Sequence, residues 1–336
     1  MNLRDRSTPR SRALLRRPIR ELALRLEGSP IEPLLRRLER ELRRKLERFR
    51  PVYYLTDEWW CPSGQPVIGI PFYLADRELM RIERHANELE TPGEIMMYLR
   101  HEAGHAFNYA YRLYQRPEWR DTFGPYRRRY SDEYRPVPFS REYVRHLPGW
   151  YAQKHPDEDF AETFAIWLTP KSEWRKRYRG WPALKKLRLV DRFARELSGK
   201  DPAVKRGRPD ITADQMNLTV GQYVKRSAAR SRAVFQAAFD HHLEDIFLRP
   251  GVAPRSSRAA WEIVEQHRVA LTNTITTWTG VPRGVVRALV DSIAAATRKR
   301  GYRGVRGKER DYLVRLTAYT TALAASYMTR GKFHTI

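Results

Sequence analysis

His101-Glu102-Ala103-Gly104-His105 is the stretch on which the reading of this 336-residue chain turns. Residues four apart are neighbours across one helical turn, so both imidazoles share a face. Two neutral ring nitrogens at that spacing can clamp one Zn2+, and Glu102 beside the first is placed to take a proton from water. With 9 His in the chain, chance alone predicts ~0.016 such motifs, too few for an accidental charged helix face to be the better explanation. The preceding residues support a helix. Thr91-Pro92-Gly93-Glu94 spells a capping box with proline at the first helical position, and Ile95, Met96, Met97, Tyr98 and Leu99 follow.

A catalytic zinc needs a third protein ligand and one open position. The best source lies in His155-Pro156-Asp157-Glu158-Asp159-Phe160-Ala161-Glu162-Thr163-Phe164-Ala165-Ile166-Trp167-Leu168. Pro156 starts a helix, the acids suit its first turn, and Thr169-Pro170 closes it. Phe160, Phe164 and Trp167 form one apolar stripe, and Ala161, Ala165 and Leu168 another. Glu162 falls between them and is expected to point inward, where a carboxylate must be paired or metal-bound. Glu162 is therefore the expected third ligand, against the plainer alternative of an ion pair with arginine. Asp159, one turn earlier, is the alternative ligand or the group that orients a zinc histidine.

HEAGH followed by DEDFAETFAIWL resembles the gluzincin branch of zinc peptidases, which use two His and a downstream Glu. More narrowly it resembles a bacterial group of zinc-binding metallopeptidases whose second motif runs along the lines of PDEDFAETFA. The FAExF element is also similar to that of the anthrax lethal factor catalytic domain. The resemblance covers roughly residues 50–180. It implies His101, His105 and Glu162 as metal ligands and Glu102 as general base. The lethal factor pattern places a tyrosine about two turns before the glutamate, where this chain has His155. Tyr151 is the nearest tyrosine and becomes the expected oxyanion stabiliser, with His155 or His146 as alternatives.

Composition sets the outer bounds. Hydrophobic content of 41% with 31% charged residues describes a soluble, highly charged globular protein with room for two domains. The single cysteine, Cys61, excludes an intrachain disulfide framework and reads as a free thiol. No apolar run approaches a membrane span, and the basic N-terminus lacks the apolar core of a secretory signal, so a cytoplasmic location is expected. The net charge of +25 is uneven. Residues 1–50 hold 16 Lys/Arg against 7 Asp/Glu, and residues 201–336 hold 23 against 11. The middle segment is nearly balanced at +4. Basic flanks suit polyanions such as nucleic acid, or are simply solvated surface. No zinc finger or RNA-recognition signature is present.

Along the chain, residues 1–20 read as a disordered basic arm and residues 21–200 as the metallopeptidase domain. Leu34, Leu35, Leu38, Leu42 and Leu46 mark an amphipathic helix, followed by strands over 52–55 and 67–74, then a helix over 76–88. Residues 116–150, rich in Tyr, Arg and Pro, read as a cleft wall. A helix at 184–197 leads to the linker Ser198-Gly199-Lys200-Asp201-Pro202, where the domain boundary is expected. Residues 201–336 then read as a basic all-helical domain with helices over 214–248, 259–279, 282–300 and 309–329. Within it, the adjacent His241 and His242 of Asp240–Asp245 point to different helix faces and read as surface histidines rather than as a second metal cluster, and Gly301–Gly307 reads as a flexible basic loop.

The expected fold class is α+β: a mostly helical, zincin- or gluzincin-like catalytic domain with a small β-sheet before the metal helix, and an all-α region after it. The expected function is zinc-dependent hydrolysis of a peptide or protein substrate, with Glu102 as general base. The alternative is a nucleic-acid- or partner-binding protein in which the zinc is structural or vestigial.

Overall fold

A computed structural model of the protein describes residues 8–86, 89–130, 136–137, 139–233, 242–281 and 283–330. The described part of the N-terminal segment is folded, which corrects the expectation of a disordered arm. Helix α1 (Pro9–Arg16) is capped by Thr8, whose hydroxyl accepts from the Ser11 N–H. Beyond it Ile19 is buried, and its N–H donates to the Leu218 carbonyl. An apolar side chain and a backbone group both find partners 200 residues away, and local charge density gives no sign of either.

The chain divides into two compact units, Met1–Ala228 and Ala229–Ile336. This division lies later than the expected Ser198–Pro202 linker. The reason is packing: Ala213, Met216, Val220 and Val224 are buried in the same core as Leu38, Leu42, Phe107 and Phe193.

In the first unit, α2 (Glu32–Arg43) turns Leu35, Leu38 and Leu42 inward. Strands β1 (Val52–Thr56) and β2 (Val67–Pro71) pair in parallel, with Tyr54 opposite Gly69. Trp60 bridges Gly69 from the other side. The second strand ends at Pro71, short of the expected residue 74, because Phe72–Ala75 winds into a 3-10 turn. Helix α3 (Arg77–Ala86) follows; Asn87 and Glu88, expected to extend it, lie outside the described residues.

Helix α4 (Pro92–Ala110) starts as its sequence dictates. Thr91 Oγ1 accepts from the Glu94 N–H while Glu94 accepts from the Thr91 N–H. After α5 (Pro117–Phe123), helix α6 (Pro156–Leu168) runs fully buried against α4. Gly104 makes this approach possible. A Cβ there would lie 2.8 Å from Ala161 Cα, so only glycine lets the two backbones close up. Phe107 and Phe164 pack at 5.2 Å beside that contact. Helix α8 (Ala183–Leu197) packs on α6, and the short α7 (Trp174–Arg177) packs against α8. Helix α9 (Val220–Ala233) carries the division between the units.

The second unit contains α10 (Leu243–Ile246), β3 (Ser257–Ala259), α11 (Ala260–Thr279), α12 (Arg283–Lys299), β4 (Arg303–Val305) and α13 (Glu309–Arg330). Ile263, Ile275, Leu289, Ile293 and Leu316 form its core. Two expectations change here. The all-helical region includes an antiparallel strand pair, Ser257 opposite Val305, and the expected Gly301–Gly307 loop supplies one of its strands. The single helix expected over 214–248 is broken, since residues 216–219 are not helical and α10 is a separate turn. Asp240 and His241 lie outside the described residues, and His242 pairs with Asp245 at 3.5 Å. No helix among the described residues is long and apolar enough to cross a membrane.

Candidate metal centre

His101 and His105 occupy successive turns of α4 on the face turned to α6, and both are buried. Their Nε2 atoms lie 3.1 Å apart. Glu158 Oε2 completes a triangle, 3.0 Å from His101 Nε2 and 3.2 Å from His105 Nε2. These three side chains can hold a metal ion. They form the only such group found among the described residues.

The third member differs from the expected one. Glu162 is buried and inward-facing, but it stands behind His101. Its Oε1 accepts from His101 Nδ1 at 2.9 Å, and its Oε2 accepts from the Leu147 N–H at 2.8 Å. The cause is the placement of α6 over α4: Glu158 meets the Nε2 edges of both rings, and Glu162, one turn later, meets the Nδ1 edge of His101. Asp159, the alternative, turns away altogether. Lys186 on α8 donates to its Oδ2 at 2.7 Å, and burial outweighs that lysine and pushes the carboxyl pKa up to about 7.

The first turn of α6 thus spends each acid differently. His155 caps the helix, its Nδ1 accepting from the Asp157 N–H at 3.1 Å. Asp157 accepts from His105 Nδ1 at 3.1 Å and from Asn108 and Tyr109. Each histidine therefore has a carboxylate on its Nδ1 and turns its Nε2 toward the centre, where binding a metal would require that nitrogen to lose its proton. The field there favours positive charge. Burial works against charging His101, yet the Glu158 and Glu162 carboxylates outweigh it and push its pKa up to about 9. His105 is driven well above its ordinary value against the same burial by Asp157 and Glu158, and Glu158 is held well below its own.

Glu102 stands beside this group, 6% exposed, and forms no hydrogen bond with any described residue. Burial raises its pKa, with His101 and His105 opposing. Tyr151 reaches the site from the adjoining 3-10 turn: its ring centroid is 5.7 Å from that of His101, and its hydroxyl is 3.5 Å from Glu158 Oε1. Tyr130, which sequence reasoning did not single out for the site, is closer. Its hydroxyl donates to Glu158 Oε1 at 2.9 Å while its ring stacks on His155 at 3.9 Å. The two alternative histidines are engaged elsewhere, His155 Nε2 with the Arg128 carbonyl and His146 Nε2 with the Met97 carbonyl. Cys61 is buried and free.

One sequence signal for Glu158 was available: it lies four residues before Glu162, hence on the same helix face. Its place in an acid-rich first turn disguised it as a complement to the helix dipole. Comparison with protein-family models, curated proteins and solved structures finds no match, so the site is argued from its own geometry.

Proposed function

We propose that the protein is a zinc-dependent metallopeptidase of gluzincin-like design, with His101, His105 and Glu158 as ligands. The observation that carries this reading is the triangle of ligand atoms with 3.0–3.2 Å edges. Donors 2.0–2.1 Å from a tetrahedral zinc lie roughly 3.3–3.4 Å apart, so the group fits after an outward shift of a few tenths of an ångström. Three protein donors also leave the open position that a catalytic site needs.

Zinc bound there supplies Lewis acidity, bringing the pKa of water towards ~7 and polarising a carbonyl. The protein's own groups do the rest. Glu162 and Asp157 hold the Nδ1–H atoms of the two histidines and fix ring orientation. Glu102, lacking a hydrogen-bond partner among the described residues, takes the proton from the attacking water at its carboxylate. It then hands that proton to the departing amine. Tyr151 is the candidate donor to the oxyanion. Tyr130 shares Glu158 Oε1 and keeps that carboxylate engaged through its second oxygen.

The test pairs metal analysis with turnover. Glu102→Gln is expected to keep one zinc per chain and to lose about 10²–10⁴-fold in peptide hydrolysis. Undiminished turnover in that variant sinks the mechanism. Full zinc content with no hydrolysis of a diverse peptide library by the parent protein favours a structural zinc in a binding protein.

A further inference from the structure

Helix α8 turns Leu187, Val190, Phe193 and Ala194 into the core. Its outer face carries Lys185, Arg188, Arg192 and Arg195, all exposed. Their spacing of three, four and three residues keeps them in one stripe, and ten residues of helix make that stripe about 15 Å long. The stripe lines a groove of about 730 Å3, with Arg175 of α7 on the other wall. The groove continues into a second hollow of about 390 Å3, which adds Arg44 and Lys45.

Against these cations the groove sets one carboxylate, Asp191, and it is already used. Asp191 accepts from Arg175 at 2.8 Å, from Arg195 at 3.0 Å and from Trp167 Nε1 at 2.9 Å. Lys185, Arg188 and Arg192 form no ion pair with any described residue, although the middle segment of the chain is close to neutral overall. Three unpaired cations in a row within a concave surface raise the local concentration of anions.

We infer that this groove binds the phosphodiester backbone of a nucleic acid. A duplex strand carries one phosphate per ~3.4 Å of axis but winds as it rises, so a 15 Å stripe reaches more than one phosphate and meets them with its three unpaired cations. Guanidinium forks predominate, and these match phosphate oxygens two at a time. An acidic peptide is less well served. The backbone of α8 is spent within its own helix, so the stripe offers no strand edge for an extended chain to join.

The test uses the full chain and a fluorescein-labelled 16-base-pair DNA duplex, with anisotropy titrations across a potassium chloride series. Lys185→Gln/Arg188→Gln/Arg192→Gln removes three phosphate contacts without touching the core. Its plot of log affinity against log salt is expected to be shallower by about 2.7, which is 0.9 per contact. Arg77→Gln/Arg84→Gln/Arg112→Gln, three exposed arginines elsewhere on the same unit and outside the basic flanks, is the charge-matched control and is expected to change the slope by less than 1. Equal slope changes in the two triple variants overturn the inference, since binding is then diffuse. An unchanged slope in the groove variant overturns it too. Displacement of the duplex by poly-glutamate at equal charge concentration, lost in the groove variant alone, overturns the nucleic-acid assignment in favour of an acidic peptide. Circular dichroism and zinc content of all three proteins establish that the substitutions leave the fold intact.

Discussion

Glu158 and Glu162 lie one turn apart on α6 and bracket a single imidazole: Glu158 Oε2 is 3.0 Å from His101 Nε2, and Glu162 Oε1 is 2.9 Å from His101 Nδ1. One carboxylate faces the position a metal would take, and the other holds the ring from behind. Removing them should have unequal effects. Glu158→Gln is expected to abolish tight zinc binding. Glu162→Gln is expected to keep zinc at an affinity 10–100-fold weaker, the usual loss when a histidine loses its orienting partner. Chelator competition measures both. A Glu158→Gln protein that holds zinc as the parent does removes Glu158 from the ligand set.

Gly104 couples the motif to the fold. A Cβ at this position meets Ala161 Cα at 2.8 Å and the Ala161 carbonyl oxygen at 3.0 Å, both backbone atoms that cannot swing aside. Gly104→Ala should therefore push α6 off α4, cost about 1–3 kcal/mol in chemical denaturation, and weaken zinc binding because Glu158 moves with α6. Gly93→Ala in the same helix is the control, since its Cβ finds only Thr91 Oγ1 at 3.8 Å. Equal stability of the two variants contradicts the packing argument.

The minimal folding piece is larger than the stretch that carries the two motifs. Ile19, Leu38, Leu42, Met216, Val220 and Val224 share a core with the residues around the metal centre. A fragment of residues 8–228 is expected to melt cooperatively and bind zinc, whereas 50–200 is expected to do neither. Cooperative melting of the shorter fragment shows that these flanking residues are dispensable to the core.

Glu90 supplies a pH signature. Its Oε1 accepts from Tyr73 at 2.8 Å and from Trp59 at 3.2 Å, while Oε2 has no described partner. Burial outweighs these donors and raises its pKa above 4.5. The folded state then binds this proton more tightly than the unfolded chain, so stability falls as pH rises from about 4.5 through the raised value. Glu90→Gln keeps an acceptor for Tyr73 and Trp59 and cannot ionise. It should gain on the parent at pH 8 relative to pH 4.5, measured by denaturant unfolding at both. An identical pH dependence in parent and variant contradicts this assignment.

Local rules carried a long way in this chain. The capping box at Thr91, the proline at the start of α6 and the leucine spacing of α2 each specify a helix through contacts within a few residues. The structure starts α4 and α6 where the sequence does, while α2 ends at Arg43, short of Leu46. His101 and His105 belong to the same class of inference, because four residues on one helix fix their neighbourhood regardless of what surrounds it. The strand pair of the second unit escaped notice because three-residue strands such as β3 and β4 have no periodicity to detect. They exist through packing, as where Gly304 lies against Ile263 and Tyr312.

By itself, the sequence determined the paired histidines, the neighbouring Glu102 and the acidic helix that faces them. Only tertiary structure decided which acid completes the triangle with the two histidines, because Asp157, Glu158, Asp159 and Glu162 differ by less than two turns of α6. Their partners come from elsewhere in the chain: His105 from α4, the histidine pair, Lys186 from α8, and the Leu147 amide. Helix periodicity says which side chains share a face, whereas the crossing of α6 over α4, set by the missing side chain of Gly104, says what each of them meets.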